Sequence, residues 1–403
     1  MTSRGRLAFV SMHTSPIADP GAGDAGGMNV VIRALADAVA DLGFDIDLLT
    51  RRADEVSPDC VELRPGVRLR QIPAGPPAPL PKSAIDAHIE EFRAGMGNLC
   101  PYDLVHSHHW MSGVAALPLT RGCGTPHVQS FHSVAAHPDS PLRDGEPPES
   151  PSRISGEKLV AQESDLVVAV SHAEAATVIG RCGADPQQVV IVQPGVDADL
   201  FHPKEPGEVW TPSAAIRPGY ALFAARLQPL KGADLAIEAM AEVPEALRPQ
   251  LVIAGDVSAD FALYGRELRA LVVRHGLEDD VFFIGPQTRT ALARLVRNAS
   301  VMLVPSHSET FGLIALEASA CGLPVLASAA GGLTEAVRNG VTGLLTHQRD
   351  PKVWGDLLTR LLTDRELAGR LGAAGRQRAL TFSWPRVAAR LVEHYVRLNP
   401  GLA

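Results

Sequence analysis

The chain has 403 residues, too many for one ordinary core and enough for two domains that each bury their own, with a cleft between them. Its 46% hydrophobic and 20% charged residues and net charge of −8 exclude a disordered or fibrous protein, and without any Lys/Arg block the basic stripe needed by a nucleic-acid partner is excluded too. The run 7–10 is too short for a signal-peptide core, no other run is long enough to span a bilayer, and the five cysteines (Cys60, Cys100, Cys123, Cys182, Cys321) are scattered; the chain therefore reads as cytoplasmic, with free thiols and no membrane partner.

In chain order, short apolar runs alternate with amphipathic stretches, the pattern of parallel sheets covered by helices. Strands are expected at 7–10, 46–49, 104–105 and 166–170. Between the first two, Val31, Leu35 and Val39 lie at helical spacing in a stretch 30–40 that stops at Gly43, completing a βαβ unit. The segment 73–81 is Pro-dense and reads as a surface loop. A strand at 189–192 ends at Pro194-Gly195, and the Pro-rich stretch 196–218 reads as a linker. The pattern then restarts at 221–224, 251–254, 281–284, 301–304 and 324–327, which implies a second sheet. The expected architecture is α/β, with an amino-terminal domain over 1–195, a carboxyl-terminal domain over 196–384 and a terminal amphipathic helix over 385–403.

Three loops carry candidate chemistry. The glycines of Gly21-Ala22-Gly23-Asp24-Ala25-Gly26-Gly27-Met28-Asn29 bunch at the entrance of the first helix. They can serve as a flexible turn, or let backbone N–H groups and the positive helix end approach a phosphate, and the helix entrance favours the phosphate. Their spacing is not that of the dinucleotide fingerprint. In Ala225-Arg226-Leu227-Gln228-Pro229-Leu230-Lys231-Gly232, an arginine and a lysine five residues apart follow the first strand of the second half. Both can point at a diphosphate leaving group, the alternative being a solvated basic loop; the carboxyl end of a strand favours the former. In Ser306-His307-Ser308-Glu309-Thr310-Phe311-Gly312-Leu313-Ile314-Ala315-Leu316-Glu317, the two glutamates lie eight apart. If a helix begins near Phe311, Glu309 stays in the loop and both carboxylates can reach one ligand. Glu309 can accept from sugar hydroxyls, the N–H groups after it can meet a phosphate, and Glu317 can hold a ribose; taken alone, the pair reads rather as a capped helix with an exposed acid.

Other clusters are less informative. His106-Ser107-His108-His109-Trp110 has no carboxylate or cysteine at ligand spacing and is not read as a metal site. His132 follows a short strand and faces the cleft or is a satisfied structural histidine. Asp45-Ile46-Asp47 falls inside a strand and Asp197-Ala198-Asp199 in the linker, so neither Asp-x-Asp is read as a metal ligand.

These motifs in this order resemble the family-4 retaining glycosyltransferases of the GT-B fold, in which two Rossmann-like domains face a central cleft. The likeness covers nearly the whole chain. It is carried by His13-Thr14-Ser15-Pro16, the segment Gly23 to Asn29, Gly183-Ala184-Asp185-Pro186, Pro194-Gly195-Val196-Asp197, Gln228-Pro229-Leu230-Lys231, Ser308-Glu309-Thr310-Phe311-Gly312 and Gly331-Gly332-Leu333. Within the family it is most similar to the inositol-phosphate branch of actinobacterial mycothiol biosynthesis.

The resemblance implies a nucleotide-sugar donor, UDP-GlcNAc first, a small polar acceptor, 1D-myo-inositol 3-phosphate first, and no metal or further cofactor. Gly26 and Gly27 match the loop that meets the diphosphate, Arg226 and Lys231 its cationic clamp, Glu309 the donor-sugar contact, and Glu317 the ribose ligand. Phe311, Gly312, Leu313 and Ile314 belong to the same donor loop. His132 aligns with the histidine near the donor sugar and Asn29 with an acceptor contact, and the terminal helix returns to the amino-terminal domain. A homodimer is compatible with the family.

The branch holds its acceptor phosphate with a lysine, a tyrosine, a threonine and an arginine, where this chain has Lys82, His109, Ser133 and Arg153. A lysine usual after the histidine-threonine segment falls here at His137 or Pro138, and the stretch 80–92 diverges. These departures leave room for another acceptor: an aminocyclitol, a sugar or a thiol of a secondary-metabolic pathway, with a UDP- or GDP-sugar donor. A nucleotide-sugar 2-epimerase and a non-catalytic nucleotide-sugar-binding module are the rival classes.

Overall fold

The structure is a computed structural model that describes residues 3–21, 25–97, 99–135, 151–208, 210–257 and 261–403; the glycine-loop residues 22–24 and the positions His137 and Pro138 lie outside them. The first sheet is built from β1 (Arg6–Ser11), β2 (Asp45–Arg51), β3 (Cys60–Arg64), β4 (Val67–Ile72), β5 (Leu104–His108), β6 (His127–Ser130), β7 (Leu166–Ala169) and β8 (Val189–Ile191). Its order is β3-β4-β2-β1-β5-β6-β7-β8, parallel except for the β3–β4 pair. The second sheet contains β9 (Ala221–Ala224), β10 (Leu251–Ala254), β11 (Val281–Gly285), β12 (Val301–Val304), β13 (Val325–Ser328) and β14 (Leu344–Thr346), in the order β11-β10-β9-β12-β13-β14 and parallel throughout. A parallel sheet is covered on both faces, and so β7, β10 and β12 read as unbroken apolar runs with buried side chains, as does Leu7 to Val10 within β1.

Sequence reasoning missed β3, β4 and β14. In β4, Val67 and Leu69 are buried while Arg68 and Arg70 turn to the other face. There, with Arg6 and Tyr102, they surround the fully buried Asp47. Burial opposes ionisation of Asp47, but the hydrogen bonds from Tyr102 and Arg6 hold its carboxyl below the usual range. Asp47 of the first Asp-x-Asp is thus a structural anion. In the second, Asp197 accepts from the N–H groups of Asp199 and Leu200 and shapes a turn.

The expectation of five free thiols is corrected. Cys100 and Cys123 form a disulfide with their Cα atoms 5.1 Å apart, leaving Cys60, Cys182 and Cys321 free. The helix Trp110–Cys123 stops at Gly124, in the left-handed conformation, and its last residue lies beside Cys100 in the turn that precedes β5. A separation of 23 residues gives no sequence sign of this, and the thiol pattern carries no argument about compartment.

Two stretches of chain connect the sheets side by side. Val196 bridges to Ser383 and donates its N–H to the Phe382 carbonyl at 2.7 Å. A Cβ on Gly195 would lie 2.8 Å from Trp384, so glycine is what lets the strands pass so closely. The last helix, Trp384–Leu398, then packs on the first helix, Gly27–Ala40, and buries Trp384, Val387, Ala388, Leu391, Val392 and Tyr395 with Leu7, Ile32, Leu35 and Val39. Tyr395 reaches the middle of the first sheet, its hydroxyl 2.6 Å from His106 Nδ1. Leu391 is fully buried in this core. Leu391→Ala is therefore expected to cost about 2–5 kcal/mol, read as a lowered denaturant midpoint; an unchanged midpoint would show that this helix contributes nothing to the first core.

Candidate active site

The carboxyl ends of both sheets face each other, and ligands in open α/β sheets bind at that edge. Two cavities lie there. The first is walled mainly by the loops after β9, β10 and β12 of the second sheet, and the second mainly by the loops after β1, β5 and β6 of the first. Gly26, Gly27, Arg226, Lys231, Glu309 and Leu313 line both. The two cavities therefore meet where the glycine loop of one lobe opposes the charged loops of the other.

On the second lobe, Lys231 ends a one-turn helix and Gly232 follows at φ 75°, a conformation that glycine adopts without strain. Lys231 Nζ lies 2.5 Å from Glu309 Oε2 with both side chains about one-fifth exposed. The two loops that carry them are tied by the His307 N–H donating to the Leu230 carbonyl at 2.8 Å. Gly331-Gly332 supports the other side of the Glu309 loop. Gly332 donates its N–H to the Glu309 carbonyl at 2.8 Å, and a Cβ on Gly332 would stand 2.0 Å from the Thr310 oxygen. On the first lobe, a Cβ on Gly26 would lie 3.4 Å from Arg226 Nε, whereas one on Gly27 would meet open space. Gly26 is thus closed over by the guanidinium, while the backbone at Gly27 stays clear on the cavity side.

The helix after Glu309 is Leu313–Ala320, two residues later than its expected start, because Gly312 enters it at φ 98°. Glu309 stays in the loop and Glu317 projects from the helix, so both line the first cavity, together with Ile314. Phe311 and Gly312, named with the donor loop, line the second. Glu317 is buried, which raises its pKa, while Arg289 beside it at 2.7 Å opposes the rise. Arg289, absent from the sequence-named set, lines the first cavity and stacks over Phe201 at 4.6 Å.

In the second cavity the structure assembles Asn29, Lys82, His109, His132 and Ser133. Asn29 is buried. Its amide accepts from the Gly26 N–H at 2.9 Å and donates to Thr14 Oγ1 and the Ser15 carbonyl, so its visible work is to tie the glycine loop to the segment after β1. Arg153 stands one layer back, donating to Ser133 Oγ at 3.2 Å and paired with the buried Glu157 at 2.8 Å. His13, quoted in the sequence motif but given no site role there, lines this cavity with its ring 4.1 Å from that of His109. Burial lowers the pKa of both well below normal; after burial, Lys82 is the largest further cause at His13 and His13 itself at His109. Neither nitrogen of His109 has a hydrogen-bond partner among the described residues. The cavity thus pairs cationic groups with buried donors, which suits an anionic, hydroxyl-rich molecule.

The positive-φ residues other than glycine, among those described, are His109 at 71° and His132 at 58°. They sit at the ends of neighbouring strands β5 and β6, and both line the second cavity. Such strain persists where surroundings over-determine it. Glu174, buried behind them, accepts from the Val170 N–H at 2.7 Å and faces the His132 backbone N–H. Burial pushes its pKa from 4.5 up to about 7. An acid whose folded pKa is raised costs stability as pH climbs from its unfolded value to its folded one, and no more above that. Glu174→Gln removes this term. The melting temperature of the variant minus that of the parent is expected to be more positive at pH 8 than at pH 5; a pH-independent difference would show that the carboxyl is ionised across that range.

Comparison with known proteins agrees with this architecture. Residues 26–195 match the glycosyl transferase 4-like domain and residues 213–378 the glycosyl transferases group 1 family. The chain is 38% identical to a D-inositol 3-phosphate glycosyltransferase from Xylanimonas cellulosilytica over 97% of this chain and 96% of that one. It is 38% identical to a namesake from Streptomyces coelicolor over 97% and 91%. Among solved structures, sucrose-phosphate synthase from Thermosynechococcus elongatus superposes with a TM-score of 0.87 at 30% identity, covering 98% of this chain and 99% of that one. Anabaena HepE, in complex with UDP and glucose, shares the fold with a TM-score of 0.75 at 19% identity, covering 97% and 99%. Two facing parallel-sheet lobes with these matches over nearly the full length define an enzyme of the GT-B fold: the chain belongs to the glycosyltransferase family that includes the D-inositol 3-phosphate glycosyltransferases.

Proposed function

We propose that this enzyme is a retaining, metal-independent, cytoplasmic glycosyltransferase that moves a sugar from a nucleotide diphosphate, UDP-GlcNAc first among donors, to a small phosphorylated polyol, inositol 3-phosphate first among acceptors. The observation that carries the reading is the shared wall of the two cavities: Gly26-Gly27, Arg226, Lys231 and Glu309 border both. A diphosphate there lies between glycine backbone and a guanidinium–ammonium pair, with its nucleoside toward Glu317 and its sugar at the junction with the second cavity. The two cations neutralise charge that grows on the departing phosphate, the work a metal would otherwise do.

The acceptor occupies the first-lobe cavity, where Lys82, His109 and Ser133, backed by Arg153, supply donors to an anion. The names of the relatives support a phosphorylated small molecule: one acts on inositol 3-phosphate and the structural neighbour is a sucrose-phosphate synthase. His109 in place of a tyrosine keeps a donor, and Ser133 keeps a hydroxyl. In the retaining reaction the acceptor hydroxyl attacks from the face the nucleotide leaves, its proton passes to a departing phosphate oxygen, and no protein nucleophile is used. Closure of the lobes over both ligands excludes the water that would hydrolyse the donor.

A thermal-shift screen of nucleotide sugars identifies the donor by stabilisation of the folded state, and transfer is then assayed with inositol 3-phosphate. UDP-GlcNAc converted in the absence of any acceptor would replace this reading with an epimerase. Lys231→Ala is expected to lower kcat on the order of 10²-fold or more, and near-parent turnover would end the clamp assignment. Gly27→Ala, with room for its methyl group in the protein alone, is expected to keep the melting temperature and raise the donor KM; an unchanged KM would take the diphosphate away from this loop.

A further inference from the structure

A row of histidines runs back from His132, at the cleft, through the buried His108 and His106, which the reaction as described does not use. His132 Nε2 lies 2.9 Å from His108 Nδ1, with the rings stacked at 5.2 Å. His108 is fully buried on β5, its ring 4.2 Å from that of His106 on one side and edge-on to Phe9 at 5.4 Å. His106 is itself fixed, with Nδ1 at 2.6 Å from Tyr395 Oη and Nε2 at 2.9 Å from Ser130 Oγ. Packing thus allows the His108 ring little freedom. His132 is held at its backbone as well, where Thr310 of the other lobe donates to its carbonyl at 3.1 Å.

Burial keeps these rings neutral: it lowers His106 and His108 well below the ordinary value and His132 to about 4. The contact between His108 Nδ1 and His132 Nε2 therefore carries one proton, and there are two ways to place it. If His132 donates, His108 carries its own proton on Nε2, a buried atom with no acceptor among the described residues. If His108 donates, its Nε2 is an unused lone pair. An orphaned buried N–H is rarer and costlier than an unused acceptor, so the second arrangement wins. It leaves His132 with Nε2 as acceptor and its proton on Nδ1, the remaining polar atom of a ring that lines the cleft.

We propose that His108 is a positioning residue: by donating Nδ1–H to His132 Nε2 it fixes His132 in the Nδ1–H tautomer, a neutral donor directed at the sugar in transfer. The inference rests on the reading of His132 as the donor-sugar contact. A ring free to exchange tautomers would present a lone pair to the same hydroxyl for part of the time, and a cationic ring would switch with pH. The histidine row prevents both, as an outer hydrogen bond does for a metal-binding histidine.

Two measurements test this, one of them independent of substrate. Nitrogen-15 NMR of histidine-labelled protein, with the His132 signals assigned by their loss in His132→Ala, reads the tautomer directly. The expected result is a protonated Nδ1 and a pyridine-type Nε2 in the parent, and loss of that preference in His108→Leu. A protonated Nε2 on His132 in the parent overturns the proposal whether or not any variant folds. In transfer assays with UDP-GlcNAc and inositol 3-phosphate, His108→Leu is expected to lower kcat about tenfold with the donor KM within about twofold. His108→Asn, whose amide can stand near the place of Nδ1, is expected to recover most of the loss. Equal loss in both variants with the His132 tautomer unchanged, or parent-like kcat in His108→Leu, would reduce His108 to a core residue. Parent-like turnover in His132→Ala would instead overturn the donor-sugar reading, leaving the tautomer to stand or fall on the NMR result.

Discussion

Lys231 and Glu309 stand 2.5 Å apart at the meeting point of two lobes, and most of what surrounds them exists to keep a partly exposed ion pair in one geometry. A pair that water still reaches contributes little to stability, because it is partly screened and two long side chains must be ordered. Here the ordering is done by backbone. The Lys231 loop and the Glu309 loop are joined by the His307 N–H, and Gly331-Gly332 closes on the Glu309 carbonyl at distances no other residue allows. The pair is therefore set in place before any ligand arrives, and preorganised charge is worth more to a transition state than charge that must be gathered.

The same constraint explains why glycines recur where the lobes meet. Gly255, at φ 139°, has its Cβ direction filled by the Ala225 oxygen at 1.9 Å, which allows the loop after β10 to pass directly beneath the residue before Arg226. Gly26 and Gly27 divide the complementary task. The first is covered by Arg226, and the second offers bare backbone at the start of a helix, where N–H groups and the helix dipole favour an anion.

How much of this was legible in the sequence depended on how local its cause is. Strands β9, β10 and β12 read to the residue because a strand buried on both faces is an unbroken apolar run between turn residues. By contrast β4 alternates Val67 and Leu69 with Arg68 and Arg70, whose purpose, the anion at Asp47, lies two elements earlier in the chain. Loops that follow strands announced Arg226, Lys231 and Glu309, yet Arg289 opens a helix with two further arginines and looks like a solvated face until Glu317 and Phe201 are placed beside it. The role of His13 beside His109 and the disulfide escaped for a shared reason: each is defined by a contact from a distant strand end or turn, and no spacing along the chain records it.

The lobes are tied differently at their two edges. On one edge, Val196, Phe382 and Ser383 run as paired backbone, and the last helix buries six side chains in the first core, which is too much apolar surface to part during turnover. At the cleft the ties include single apolar side chains, Val170 against the second core and Leu313 against the first, and polar bonds. Thr310 reaches the His132 carbonyl, while Glu335 accepts from the His172 N–H at 2.7 Å and from Gln193 at 2.8 Å. Each such bond is worth about 1 kcal/mol net because water can replace it. Parting these polar bonds therefore costs less than parting the last helix from the first core. The bond from Thr310 ends on the carbonyl of His132, whose ring lines the second cavity, so one residue both joins the lobes and borders the cleft.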